Sequence, residues 1–544
     1  MKSCLILISL LFLVSSMPEP TLRSLSSYVN PITRVRGDLV NTALYSLPPK
    51  SNVNLDEMIS AMINAANNYQ LAQCEVVYMI YKWIGNNIQF DCYDSVHYPS
   101  YVPIADTDVY DKGKGGDQGI ANLFFAFASK GFRFPVAILP GYSKVTNYVQ
   151  GKLPSQPDHI WNGVTFEGAS YLIDLPWGMG ECYSDQFNPN YSDFYFCTDP
   201  NIFIRSHLPV EQSWQLLTPP KTVEEFVNML KLTKNFYVNG FQSMNPDKSS
   251  ISASTSGQFS FTITHERGSK DFLIQLYYPN GNAYEQQQNP CWVDKNPTSA
   301  TVTCFATYKG VNKLYLYGGN YGQEQLPFLL DYNVAVPKTS VDKQGAPQVI
   351  KSVLLDKDFH LIEPMKSPLK RSRSVKFRIR STDFGNMYII NFDYNRPNYH
   401  YRQLDYSSGE FSGDNVYIFG SEVAIATYQN GQYVKIVSYE TIRDTTKPVD
   451  ATFPIAYDAP KNILYSPLYD PLKTKAKHNF KIKCETCYGV KIRDGNSYYD
   501  LSRNGYIFSG DIYINGGGDS YIDILNCDSY NQCAAMYRYT ASYY

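Results

Sequence analysis

Three segments carry side chains able to do chemistry, and they follow one another in order. The first is Tyr81-Lys-Trp83-Ile84-Gly-Asn-Asn87-Ile88-Gln-Phe90-Asp91. The second is Gly115-Gly116-Asp117-Gln118-Gly119-Ile-Ala-Asn122-Leu123-Phe124. The third is Asp158-His159-Ile-Trp161-Asn162-Gly-Val164, followed by Tyr171-Leu-Ile173-Asp174-Leu-Pro-Trp177-Gly178. Among their residues Asp117, His159 and Asp174 offer two carboxylates and one imidazole. Those are donor types for a divalent cation, but no metal-specific spacing accompanies them, so no metal site is assigned. Each also has an ordinary structural use. Asp117 suits a helix N-cap, His159 a packed position beside Trp161, and Asp174 a turn cap. Only the joint pattern favours a site. His97, His207, His265, His360, His400 and His478 form no close pair and add no metal signal. Gly113-Lys-Gly115-Gly116 lacks the strand–loop–helix spacing of a phosphate loop.

The elements that must hold these residues are mixed. Residues 17–50 are rich in Ser, Pro and Asn and read as irregular. Residues 55–68 suit a helix, and 71–88 a second with apolar residues three and four apart. A third is expected over 117–130, opening after a glycine-rich turn and ending at Gly131. Strand-like runs follow at 136–139, 161–166 and 171–175. Beyond about residue 240 short alternating strands are separated by Gly, Asn and Pro turns, the pattern of β-sandwiches. Two of these repeat. Leu361-Ile-Glu-Pro364-Met-Lys-Ser-Pro368-Leu369-Lys370 matches Leu464-Tyr-Ser-Pro467-Leu-Tyr-Asp-Pro471-Leu472-Lys473, and Phe411-Ser-Gly413-Asp matches Phe508-Ser-Gly510-Asp. Lys366 to Arg380 is strongly basic, but Lys376, Arg378 and Arg380 alternate with Val375, Phe377 and Ile379, as on a strand with one wet face. The expected boundaries are 1–16, 17–235, 236–342, 343–447 and 448–544.

Residues 1–16 read as a secretory leader: Lys2, an apolar run over 4–14, then Ser15 and Ser16. That run is too short to span a bilayer, and no transmembrane segment is expected. Ten cysteines remain after Cys4. An even number in an oxidising compartment points to disulfides. The local pairs Cys182–Cys197 and Cys291–Cys304 are the first expectation. Cys484, Cys487, Cys527 and Cys533 resemble a four-sulfur zinc set but read better as disulfide partners. Asn190-Tyr-Ser192 is a glycosylation sequon. Against 48 basic residues stand 50 acidic ones, a net charge of −2, which disfavours nucleic acid as a partner. Tyrosine is abundant at 47 residues, which suits strands and half-wet surfaces.

The three segments resemble the transglutaminase-like superfamily, with its Cys-His-Asp triad. There the nucleophilic Cys opens a helix, the His precedes Trp-Asn on a strand, and the Asp ends the next strand before Trp-Gly. Phe194-Tyr-Phe-Cys-Thr198-Asp-Pro200, His207-Leu-Pro209 and Trp214-Gln215-Leu216-Leu217 resemble the kyphoscoliosis-peptidase branch, in which Ig-like domains follow the core. The resemblance implies an α+β papain/transglutaminase-like core over 17–235, followed by about three Ig-like β-sandwich domains. It implies His159 as the would-be base and Asp174 as its orienter, with Gln118, Trp161, Asn162 and Trp177 lining a cleft. At the nucleophile position stands Asp117, its register held by Gly116, Gln118 and Gly119. A thiolate is activated by a neighbouring His and a helix N-terminus; a carboxylate is a far weaker acyl acceptor. The expectation is a secreted pseudoenzyme that binds protein partners or serves as a scaffold, without a cofactor. The alternative is an active cysteine-type peptidase or protein-glutamine cross-linker with a non-standard nucleophile.

Overall fold

Local helix signals in the N-terminal part are satisfied by specific caps. The computed structural model describes residues 18–22, 28–92, 105–144, 148–183, 186–340, 344–349, 357–371, 373–392, 400–443, 455–456, 462–467, 470–516 and 521–542. The expected leader over residues 1–16 lies outside them. The chain divides into two compact units: residues up to Phe241 with two short returns, Asp247–Ser250 and Pro327–Asn333, and the remainder.

In the first unit α1 spans Gly37–Tyr45 and buries Val40 and Ala43. It corrects the expectation of an irregular segment, because two small apolar contacts into the core outweigh the polar composition of the stretch. Helix α2, Leu55–Asn68, opens on a capping box in which Asn54 and Glu57 exchange hydrogen bonds of 2.9 Å. Its inner face is Leu55, Met58, Ile59, Met62, Ala65 and Ala66. Helix α3, Gln73–Asn87, is buried from Cys74 to Tyr81 and again at Trp83 and Ile84, so it is the central rod of this core. Glu75 at its start accepts the Ala72 backbone N–H at 2.8 Å and the Arg36 guanidinium. Helix α4, Asp106–Lys112, ends on Gly113 at φ 70°, a left-handed position that favours glycine. Helix α5, Asp117–Phe125, runs on as a wider π turn, Ala126–Gly131.

Four antiparallel strands pack on these helices: β1 Val136–Ser143, β2 His159–Phe166, β3 Ala169–Ile173 and β4 His207–Pro209, in the order β3-β2-β1-β4. The strand expected over 171–175 stops at Ile173, because Asp174 caps a short helix, α6 Leu175–Met179, through a hydrogen bond from Trp177 N at 3.1 Å. Gly163 on β2 is required by a close approach: a Cβ there would lie 2.1 Å from the Trp214 ring. Lys144, wholly buried after β1, donates to the carbonyls of Phe226 at 2.6 Å and Met229 at 2.8 Å; burial lowers its pKa to about 7.

The second unit is built of paired antiparallel sheets, Ig-like β-sandwiches. In its first module Ser299–Phe305 lies between Cys291–Asn296 and Gln258–His265, while Lys270–Asn280 lies between Gly310–Asn320 and Ala283–Gln287. The second and third modules share one plan. His360–Glu363, Arg373–Arg380, Glu410–Ile418 and Asp405–Ser407 form a sheet, as do Asn462–Ser466, Ala476–Cys484, Ile507–Ile514 and Ser502–Asn504 in the same order. The repeat extends to detail. Leu361 pairs with Ile379 and Leu464 with Ile482, each before a register shift. Tyr439 and Tyr539 donate their hydroxyls to the carbonyls of Pro364 and Pro467 at 2.7 Å, and meet Phe377 and Phe480 edge-on. Those tyrosines anchor the proline turns of the repeated motif. In the basic stretch Phe377 and Ile379 are fully buried, and Arg378 bonds Glu410 with two hydrogen bonds. That is a strand with one solvated face.

The disulfides correct one expected pair. Cys182 bonds Cys92, 90 residues away, not Cys197. The hairpin strand Gly180–Tyr183 brings Cys182 within 5.7 Å of Cys92, Cα to Cα, so tertiary contact and not nearness in sequence selects the partner. Cys291–Cys304, Cys484–Cys487 and Cys527–Cys533 are bonded as local pairs. Cys74 and Cys197 remain buried free thiols, so the even count of ten does not mean five bonds. Among the described residues no helix is long and apolar enough to cross a membrane.

Candidate functional site

Asp117, His159 and Asp174 come together although 42 and 15 residues separate them in sequence. Three elements do this. Helix α5 starts at Asp117, with Gly116 as its N-cap. Asp117 is thus the first helical residue and Gly116 the N-cap, a correction to the capping reading; its carboxylate still meets the positive end of the helix. His159 is the first residue of β2, and Asp174 follows the last residue of β3. The register that pairs Asn162 with Ile173 brings both to one end of the sheet.

The imidazole of His159 is held at both nitrogens. Its Nδ1 lies 3.2 Å from Asp117 Oδ2, and its Nε2 lies 2.8 Å from Asp174 Oδ2. All three residues are buried, Asp117 least at 8% exposure. Burial works against a charged ring, yet the Asp174 and Asp117 carboxylates beside it raise the His159 pKa well above its ordinary value. Burial likewise works against charge on Asp174, but the charged His159 and donors from two histidines hold its carboxyl well below the usual range. The arrangement is an acid–imidazole–acid chain, with one ring nitrogen facing each acid.

A second histidine joins it that sequence reasoning passed over. His207 on β4 donates Nε2–H to the same Asp174 Oδ2 at 2.8 Å, while Ser206 Oγ donates to its Nδ1, also at 2.8 Å. These hydrogen bonds set the tautomer. Burial keeps His207 below its ordinary pKa, and the charge on His159 adds to that, so it is the neutral partner. The strand register explains the meeting: Gly141 on β1 faces His159, and Ser143, two residues on, faces His207. The usable signal was His207-Leu-Pro209, but 33 residues separate it from Asp174. His159 Nε2, Asp174 Oδ2 and His207 Nε2 lie within 4.8 Å of one another, with donor types suited to a metal. A cation would have to displace the protons that make both bonds to Asp174, so hydrogen bonding accounts for this cluster as it stands.

The expected cleft residues divide. Trp177 and Gln118 are half-buried, and the Trp177 ring stacks on His159 at 5.2 Å and touches His207 at 4.4 Å. Trp161 and Asn162 are wholly buried and do not line a cleft, which corrects that expectation. Trp161 packs 5.2 Å from the His207 ring, in the space that Gly141 leaves. Asn162 Nδ2 donates to Ala121 O at 3.1 Å and Ala137 O at 3.4 Å, tying α5 to β1. Among the described residues the cysteines lie in disulfides or are buried free thiols. Cys92 and Cys182, nearest the motifs in sequence, are bonded to each other. Cys74 and Cys197 are buried, and burial raises both thiol pKa values. Asn190 is exposed, beside a hairpin.

One pH signature follows. A raised folded pKa means that the stability due to His159 is fully present below its unfolded value, near pH 6.5, and is lost as pH rises through the folded value. The difference in unfolding free energy between wild type and His159→Gln, measured by denaturant titration between about pH 5 and pH 9, is expected to shrink as pH rises. A difference that grows over that range contradicts the imidazolium.

Parts of the chain are similar to known proteins. The family described as "KY-like, immunoglobulin-like domain" matches residues 223–347. Over 225 residues the chain is 32% identical to kyphoscoliosis peptidase of Mus musculus, covering 41% of this chain and 33% of that protein. Over 223 residues it is 30% identical to kyphoscoliosis peptidase of Homo sapiens, covering 40% of this chain and 33% of that one. The chain carries a KY-like Ig domain and has homologues among kyphoscoliosis peptidases. It spans about a third of the length of these curated relatives. Hillarin of Drosophila melanogaster is 32% identical over 117 residues, 19% of this chain and 14% of its own. Among solved structures, an I-band fragment of titin covers 54% of this chain and 94% of its own at 11% identity and a TM-score of 0.12. An ICAM-5 ectodomain fragment covers 56% and 77% at 6% identity and a TM-score of 0.13. At those scores the overlaps carry no weight, and the Ig-like assignment rests on the family match and the paired sheets.

Proposed function

We propose that the chain is a secreted, catalytically inactive transglutaminase-like protein whose work is to bind or organise protein partners. The observation that carries this reading is the contact between Asp117 and His159. Acyl transfer by this kind of site needs a nucleophile that the imidazole can deprotonate. Here the residue at the helix start is a carboxylic acid, a weak acyl acceptor, and the two acids that flank the imidazole favour its protonated form. Attack by the carboxylate on an acyl group would leave a mixed anhydride, which water cleaves without any help from His159. Kyphoscoliosis-peptidase homologues support the transglutaminase-like assignment of the core, as does the order of helix start, strand start and strand end. The bonded cysteine pairs support an oxidising compartment. The β modules offer strand edges and tyrosine-rich faces of the kind that meet other proteins.

The alternative, an active peptidase or cross-linker, is favoured by the printed name of the two relatives. The purified chain is expected to release no peptide from a casein digest and to incorporate no labelled amine into protein glutamine above the blank. Turnover that His159→Ala abolishes overturns the proposal.

A further inference from the structure

The second unit holds a cavity of 480 Å³ whose chemistry is unrelated to the acid–histidine site. Small-molecule sites span about 300–1,000 Å³. Its wall is rich in carboxamides: Gln286, Gln288 and Asn289 from one segment and Gln344 from another. Gln344 is 4% exposed. Its Nε2 donates to the carbonyls of Ser256 at 2.8 Å and Ala306 at 2.6 Å, while its Oε1 receives no hydrogen bond. Those two bonds fix the Gln344 side chain within the wall. Gly345 closes the wall, exchanging two backbone hydrogen bonds of 2.8 Å with Ser367. A Cβ on Gly345 would lie 2.6 Å from the carbonyl of Asn289, so the closure depends on glycine.

Charge narrows the ligand. No Lys, Arg or His is among the described lining residues, so an anion finds no counter-charge in the wall. Glu422 is already paired with Lys435 at 2.7 Å and bonded by the Ser438 hydroxyl, so a cation gains little there. What remains is a neutral, polar molecule. The cavity also has a flat aromatic element, the stacked half-buried rings of Tyr278 and Tyr308, 3.7 Å between centroids. Sugar hydroxyls both donate and accept, and so do carboxamides on adjacent atoms. The C–H face of a pyranose suits an aromatic wall. We infer that this cavity binds a neutral carbohydrate, a mono- or disaccharide unit of a glycan.

The test is saturation-transfer difference NMR on the full chain with lactose, cellobiose and N,N′-diacetylchitobiose at millimolar concentration. At least one sugar is expected to receive saturation on its ring protons. Tyr308→Ala and Gln288→Ala, both surface-accessible, are each expected to weaken that sugar's binding about tenfold, or 1.4 kcal/mol, with circular dichroism and melting unchanged. No transfer to any of the three sugars overturns the inference. So does transfer that both variants retain. Binding of spermidine that these variants abolish and no sugar displaces also overturns it, and makes the cavity a cation site.

Discussion

Asp117→Cys is expected to create a reactive thiol at the start of α5. The new sulfur would stand at a helix N-terminus, beside an imidazole held in place from behind by Asp174 and carrying its own proton. Both features stabilise a thiolate, and cysteines in such settings have pKa values of about 3.5–7.5 against about 8.5 when free. At pH 6 the variant should therefore react with iodoacetamide at least about tenfold faster than the double variant Asp117→Cys/His159→Gln. Background is low, because the free thiols among the described residues, Cys74 and Cys197, are buried with raised pKa values. Mass spectrometry of the modified peptide reads the site directly. Labelling only after unfolding would show the position closed to reagents, and equal rates in the two variants would separate the imidazole from the thiol. Peptidase or amine-transfer activity in the single variant would show that one side chain stands between this chain and chemistry.

The largest loss of stability is expected from Asp174→Ala. This carboxylate is wholly buried and accepts from His159 Nε2, His207 Nε2 and the backbone N–H of Trp177. Removing one partner of a buried charged set costs about 3–5 kcal/mol, because the remaining charge stays buried without compensation. In a unit of this size that is a fall of about 6–20 °C in melting temperature. Asp174→Asn keeps the shape and an acceptor oxygen, so it is expected to lose less. His207→Gln, which removes one neutral donor, should lose less again, about 0.5–1.5 kcal/mol. Differential scanning calorimetry of the three variants gives the order. A loss for Asp174→Ala no greater than that for His207→Gln would mean that charge does not hold the site together.

The parts legible in the sequence were those that short-range chemistry specifies. The apolar residues of 71–88, three and four apart, announce a helix because that spacing brings them onto one face. Alternation at Val375–Arg380 announces a strand with one wet face, since side chains on a strand alternate by geometry. The identity of Asp117 at a helix start was readable because Gly116, Gln118 and Gly119 hold the register around it. Where local reading went astray, a distant contact decided. The polar composition before residue 50 concealed α1, whose Val40 and Ala43 are buried in the core of that unit. Nearness in sequence suggested Cys182–Cys197, but the fold brings Cys182 to Cys92, 90 residues away, with 5.7 Å between their Cα atoms.

By itself the amino-acid order established the absence of a thiol at the helix start, the acid–imidazole–acid set, the repeated β modules and the near-neutral charge. Each follows from residue identity or from periods of a few residues. Tertiary structure alone decided that His207 shares Asp174 with His159, that Asn162 ties α5 to β1, and that Cys92 reaches Cys182. Those contacts depend on antiparallel register and on how helices lie across a sheet. Register is a sum over many weak pairings along whole strands, so no short stretch of sequence encodes it.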